Sequence, residues 1–175
     1  SITCRIKKPI SIIGKLKKMG LELSLDNIER HLHDVAGIRV ICTFQKDIYI
    51  LADKLCAQDD IKLLARKDYI KNPKPNGYRS LHLIVEIPVF FAEGKKYMQV
   101  EVQFRTIAMD FWASVEHKIY YKKDIDHDTA QITEKLRLCA ENINSIAIEL
   151  ENISKEIELQ EEQEHPPVSQ PVRLP

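Results

Sequence analysis

Asp34 and Glu101 are carboxylates on two separate strand-like segments, and each has basic side chains nearby in the chain. Carboxylate oxygens are hard ligands for magnesium, which keeps waters and phosphate oxygens as its other partners. Lys and Arg neutralise charge on a transferring phosphoryl group. Such residues are at hand: Arg39 follows Asp34, and Lys67, Lys71 and Lys74 lead into NGYRSLH at 76–82. Tyr78 offers a flat face to a base, and Asn76 an amide that can read its edge. These are the parts of magnesium-dependent phosphoryl chemistry on a nucleotide. Neither GxxxxGK[ST] nor GxGxxG occurs, so phosphates would be held by side chains rather than by a glycine-rich loop. His31, His33 and Asp34 also suggest a metal-dependent phosphohydrolase, which would need further His and Asp ligands on distant helices. Here the group abuts a strand, and His31 and His33 read as surface or packing residues.

The element that must carry Glu101 is legible. From Met98 to Arg105, Met98, Val100, Val102 and Phe104 alternate with Gln99, Glu101, Gln103 and Arg105. A period of two predicts a strand with one face on a core. Taken alone, its polar face is the wet side of an antiparallel strand. Helical spacing takes over at Ile107, so a helix starts near Thr106, with Trp112 as core bulk. Ser80 to Ile87 alternates in the same way, placing His82 on a polar face, and Glu93-Gly94 predicts a turn between the two strands. Gly37 to Phe44 is apolar on both faces, as an interior strand would be, with Asp34 and Arg39 at its beginning.

Helices are expected over Pro9–Met19, where Lys15 and Lys18 lie a turn apart, over Ser24–Asp34 with a Ser24 cap, and over Asp47–Gln58. Ile61–Leu64 reads as a short strand and Asp68–Arg79, with two prolines and Asn-Gly, as a loop. From Thr129 to about Glu162 there is no Pro or Gly, and Ile132, Leu136, Cys139, Ile143, Ile146, Leu150, Ile153 and Ile157 form a heptad seam. It buries either against the domain's own sheet or against another subunit. The expected organisation is a catalytic domain over 1–128, a packing or oligomerisation helix over 129–164, and a Pro-rich disordered tail over 165–175.

Bulk composition narrows the classes. A 44% hydrophobic and 30% charged chain of 175 residues suits one globular domain. No long apolar run argues for a membrane span, and no signal pattern opens the chain, so a cytoplasmic protein is expected. Its first residue is Ser1 rather than Met, so preceding residues are expected. Four scattered cysteines without a CxxC pair argue for reduced thiols, with Cys42 and Cys139 as small core residues. The net charge is zero, yet 1–18 holds six basic groups and no acid, and 62–79 holds six against Asp68 alone. That points to a local anionic ligand or to two solvated faces, rather than to a general affinity for nucleic acid.

The blocks HDVAGIRV (33–40), KDYIKNPKPNGYRSLH (67–82) and VEVQFRTIAMDFWASVEHKIYY (100–121), with RIKKPISIIGKLKK (5–18) more loosely, resemble the synthetase domain of the RelA/SpoT family, above all its small single-domain members. The resemblance implies an α+β fold, a mixed or antiparallel sheet of about five strands flanked by helices. It implies a GTP/GDP pyrophosphokinase that moves pyrophosphate from ATP to the 3′-hydroxyl of GDP or GTP, giving (p)ppGpp and AMP. Asp34 and Glu101 would hold Mg2+, with Glu101 also the base. Arg5, Lys7, Lys15, Lys18 and Arg39 would bind ATP. Lys67, Lys74, Asn76, Tyr78, His82 and Gln103 would bind the acceptor. A homotetramer is implied, and an allosteric nucleotide or RNA is a possible further partner. Lys18 stands where an arginine is expected, and Ala65-Arg66-Lys67-Asp68 shifts the arginine of an Arg-x-Lys-Asp pattern by one. A nucleotidyltransferase acting on nucleic acid ends and a non-catalytic nucleotide-binding regulator are the alternatives.

Overall fold

The structure, a computed structural model, describes residues 1–6, 9–24, 27, 36–92, 94–121 and 129–164. Its elements in chain order are β1 (Ile2–Ile6), α1 (Pro9–Lys18), β2 (Ala36–Cys42), α2 (Gln45–Cys56), β3 (Lys62–Asp68), β4 (Leu81–Phe91), β5 (Gly94–Thr106), α3 (Ile107–Tyr121) and α4 (Thr129–Glu164). The strands form one mixed sheet in the order β1-β2-β5-β4-β3. β2 and β5 run parallel, and the other neighbours are antiparallel. This is the expected α+β architecture.

Alternation on β4 and β5 sorts the sheet into two faces. Leu81, Leu83, Val85, Val100, Val102 and Phe104 are buried together with Ile48 and Ala52 of α2, which covers that side. Burying each such side chain contributes about 1.5–3 kcal/mol, so the register of this pair is strongly set. The opposite face receives His82, Glu101, Gln103, Arg105 and Arg39, because His82 lies opposite Gln103 and Arg39 beside it across the parallel pair. The hairpin closes at Phe91 and Gly94, where φ of +127° suits glycine. Thr106 ends β5 and starts α3, its Oγ1 accepting the Met109 N–H at 3.2 Å.

β3 is longer than its sequence suggests, running to Asp68 with an irregularity between Leu63 and Ala65. It is an edge strand with mostly exposed side chains, so pairing with β4 holds it, and no hydrophobic alternation announces it. The Ser24 cap is present, Oγ accepting from Asn27 N–H at 3.1 Å. The rest of the expected 24–34 helix lies outside the described residues, as does the 165–175 tail.

α4 divides its seam. Leu136, Ala140 and Ile143 pack on Trp112, Ala113 and Tyr78. Further along, Glu151 accepts the Gln45 N–H at the start of α2 at 3.0 Å. The inward face thus follows 136, 140, 143 and 151. A straight helix drifts about 20° per heptad from a 3.5 repeat, so the later seam positions turn outward. Ile146, Leu150, Ile153 and Ile157 are 59, 57, 47 and 51% exposed. Cys139 is exposed too, correcting the expectation of a core thiol, because Ala140 takes the inward position; Cys42 is buried. No helix among the described residues is long and apolar enough to cross a membrane.

Candidate active site

Glu101 lies half-buried in the middle of the polar sheet face. Its Oε1 is 3.0 Å from His82 Nδ1, and its Oε2 accepts from Gln103 Nε2 at 2.9 Å. His82 Nε2 is 2.9 Å from the Tyr78 hydroxyl. Arg105 joins both arms: its Nη2 donates to the Tyr78 hydroxyl at 2.8 Å and to Gln103 Oε1 at 3.3 Å. Its Nη1 donates to Asp110 Oδ1 at 2.9 Å, and Arg39 Nη1 is 3.3 Å from the same oxygen. β2, β4, β5, α3 and the 69–80 loop therefore meet in one bonded cluster.

The loop is shaped from both ends. Asp68 Oδ1 accepts the Ile70 and Lys71 N–H groups, each at 3.0 Å, and Asp68 Oδ2 accepts the Tyr49 hydroxyl at 3.2 Å. Burial first, then the Asp68 charge and hydrogen bond, push the Tyr49 hydroxyl up to about 12. Asn76 Oδ1 takes the Tyr78 N–H at 3.2 Å, while its Nδ2 donates to Glu116 of α3 at 3.1 Å. Gly77 has φ of +88° and lies against α4, where an added Cβ would meet Ala140 Cβ at 2.5 Å. Trp112 Nε1 ties α3 to α4 by donating to Leu136 O at 3.2 Å, so it is the core residue its bulk suggests. Lys74 Nζ is 4.9 Å from the ring centroids of Tyr69 and Tyr78 alike. Lys74 is exposed.

The expected acceptor residues Lys74, Asn76, Tyr78, His82 and Gln103 thus gather with Glu101, and Lys67, one residue before the end of β3, lies opposite His82. On the expected ATP side, Arg39 joins the cluster through Asp110, and Arg5 pairs with Gly37 on β1. Lys15 and Lys18 occupy the last turn of α1. Lys7 and Asp34 lie outside the described residues. Sequence reasoning assigned no role to Arg105, Asp110, Tyr69 or Glu116. For Arg105 the signal exists, since the β5 alternation puts it on the Glu101 face.

A separate half-open cleft of about 450 Å³ lies behind the loop, lined by Arg79, Trp112, Ala140, Ile143 and Glu151 among others, but by none of the bonded cluster around Glu101. Burial lowers the Arg79 guanidinium there, with Glu141 opposing.

Residues 4–126 match the family described as a region found in RelA / SpoT proteins. The chain belongs to the RelA/SpoT family. This RelA/SpoT chain is 46% identical over 154 residues to the GTP pyrophosphokinase YwaC of Bacillus subtilis, covering 88% of this chain and 73% of that protein. It is 37% identical over 164 residues to the GTP pyrophosphokinase YjbM of the same organism, covering 93% and 74%. Its fold superposes on small alarmone synthetase 2 of B. subtilis with a TM-score of 0.80 at 44% identity, covering 89% of this chain and 80% of that one. Small alarmone synthetase 1 bound to its product pppGpp gives 0.79 at 34%, covering 90% and 78%.

Proposed function

We propose that this RelA/SpoT protein is a GTP/GDP pyrophosphokinase that makes (p)ppGpp. The observation that carries the reading is Glu101, held between His82 and Gln103 on a sheet face rich in arginine, in a family with named pyrophosphokinases at this level of identity.

The guanine of GDP or GTP stacks on Tyr78, with Lys74, Asn76 and Lys67 around it. Glu101 accepts the proton of the ribose 3′-hydroxyl, an acceptor placed within hydrogen-bond reach being what the attack requires. The 3′-oxygen bonds to the β-phosphorus of ATP, the bond from that phosphorus to the α-phosphate oxygen breaks, and AMP leaves. Arg39 and Arg5 flank the adenine, and Lys7, Lys15 and Lys18 neutralise the triphosphate.

Magnesium fits the donor set. Among the described residues no group of three or more His, Cys, Asp or Glu could cage a metal, but magnesium is bound by one or two carboxylates together with substrate phosphates. Glu101 and Asp34 would hold it, and it would supply charge neutralisation on the transferring group. EDTA is therefore expected to abolish transfer while leaving the melting temperature unchanged. The working form is a cytoplasmic homo-oligomer, a tetramer in our reading, joined in part by the outward apolar positions of α4.

The test is incubation with γ-labelled ATP and, separately, GDP, GTP and GMP. Label appearing on the guanine nucleotide with matched AMP release supports the reading. Release of ADP or inorganic phosphate alone, or saturable binding without turnover, refutes it.

A further inference from the structure

Arg105 is 6% exposed, although it carries a full positive charge and only donors. Its bonds impose a direction on their neighbours. The Tyr78 oxygen accepts from Arg105 Nη2 and, because a neutral His82 ring must keep its proton for the Glu101 carboxylate, gives its own proton to the partner at 2.9 Å, His82 Nε2. Nε2 is then an acceptor, and the imidazole proton sits on Nδ1, facing Glu101 Oε1 at 3.0 Å. The second arm follows the same logic. Gln103 Oε1 takes Arg105 Nη2, which leaves its amide nitrogen facing Glu101 Oε2 at 2.9 Å. Turning the Gln103 arm round would set its amide against the guanidinium, donor against donor, and turning the His82 arm round would set the Nδ1 lone pair against the Glu101 carboxylate, acceptor against acceptor. Asp110 anchors the guanidinium from α3 and shares Oδ1 with Arg39.

We propose that Arg105 is a positioning residue of the transfer reaction: it sets two hydrogen-bond chains that end as donors on both oxygens of Glu101 and so fix the carboxylate's orientation. This rests on the reading of Glu101 as the base. Three acceptors are served by one planar fork, a geometry that a lysine ammonium does not reproduce.

Arg105→Met and Arg105→Lys are expected to lower kcat about a hundredfold, the loss typical of an angstrom of misplacement. Lysine is not expected to rescue. Should the Met variant fail to fold, the Lys variant keeps the charge against Asp110, and thermal melting verifies its fold. In a Tyr78→Phe/Gln103→Leu background both chains are already cut, so adding Arg105→Lys should lower kcat by less than about threefold. Equal losses in both backgrounds, or activity of Arg105→Lys near wild type, overturn the proposal. One arm does not depend on turnover: 15N spectra of the unliganded protein with a neutral His82 ring should show the Nδ1–H tautomer, and the Nε2–H tautomer overturns it. If wild-type protein transfers no pyrophosphate, the functional reading fails and Arg105 loses its role with it, while the tautomer still decides whether the chains run as stated.

Discussion

Gly77→Ala tests how the 69–80 loop is seated. Gly77 has φ of +88°, and its added Cβ would lie 2.5 Å from Ala140 Cβ, 3.0 Å from Arg137 Cα and 3.3 Å from Arg137 O. A left-handed conformation costs a non-glycine residue about 1–2 kcal/mol. Carbon atoms sit best at about 3.5–4.0 Å, so the Ala140 contact is about an angstrom too short. Two of the three atoms are helix backbone, which cannot rotate away as a flexible side chain would. Overpacking of this kind costs about 1–3 kcal/mol. The middle of the combined range, about 3.5 kcal/mol, corresponds to a fall of about 7–14 °C in melting temperature for a domain of this size.

The displacement has a direction as well as a magnitude. Asn76 and Tyr78 flank Gly77, and Tyr78 is bonded to Arg105 and His82. Pushing the loop off α4 should raise KM for GDP or GTP by about tenfold or more, an angstrom-scale shift being costly in a preorganised site. KM for ATP should change far less. Melting by circular dichroism and initial rates of label transfer read both effects. A Gly77→Ala protein with wild-type melting temperature and wild-type acceptor KM would refute the seating of this loop on α4.

Three further outcomes are expected. Glu101→Gln keeps the shape but removes the proton acceptor, so kcat should fall about 10²–10⁴-fold with the melting temperature nearly unchanged; full activity would remove Glu101 from the chemistry. Ile153→Asp, on the exposed stretch of α4, should give a folded protein that sediments as a smaller species, whereas Ile143→Asp, which packs near Trp112, should lose stability outright. In the alkaline range, Tyr49 keeps its proton up to about 12 in the fold, above its ordinary value near 10. The folded state then binds more protons than the unfolded one, so this contribution is complete below pH 10 and is lost as pH rises towards 12. Denaturant unfolding of wild type and Tyr49→Phe between pH 9 and 11.5 should show a shallower decline for the variant, and parallel curves would contradict the Tyr49–Asp68 bond.

How far the site could be read from the sequence depends on how many elements each part of it needs. Glu101, Gln103 and His82 follow from alternation within single strands, because a period of two with one buried face leaves each side chain only one side of the sheet. The 69–80 loop is similarly local, its Asn-Gly turn and prolines marking it. β3 runs further than its sequence predicts because an exposed edge strand has no buried face to leave a pattern. The α4 seam is a true heptad in the sequence, yet its inward face follows the 3.6 period of a straight helix, and only the position of α3 decides where the two part company. Arg105 sits at the far end of this scale. Its face is given by alternation, but its role exists only where Tyr78 from a loop, Asp110 from α3 and Gln103 from its own strand converge on it. A buried arginine without such partners would cost several kcal/mol, so its burial on a polar face already implies organised acceptors around it. Three acceptors drawn from a loop, a helix and its own strand are what set Arg105 apart from an ordinary flanking polar residue of β5.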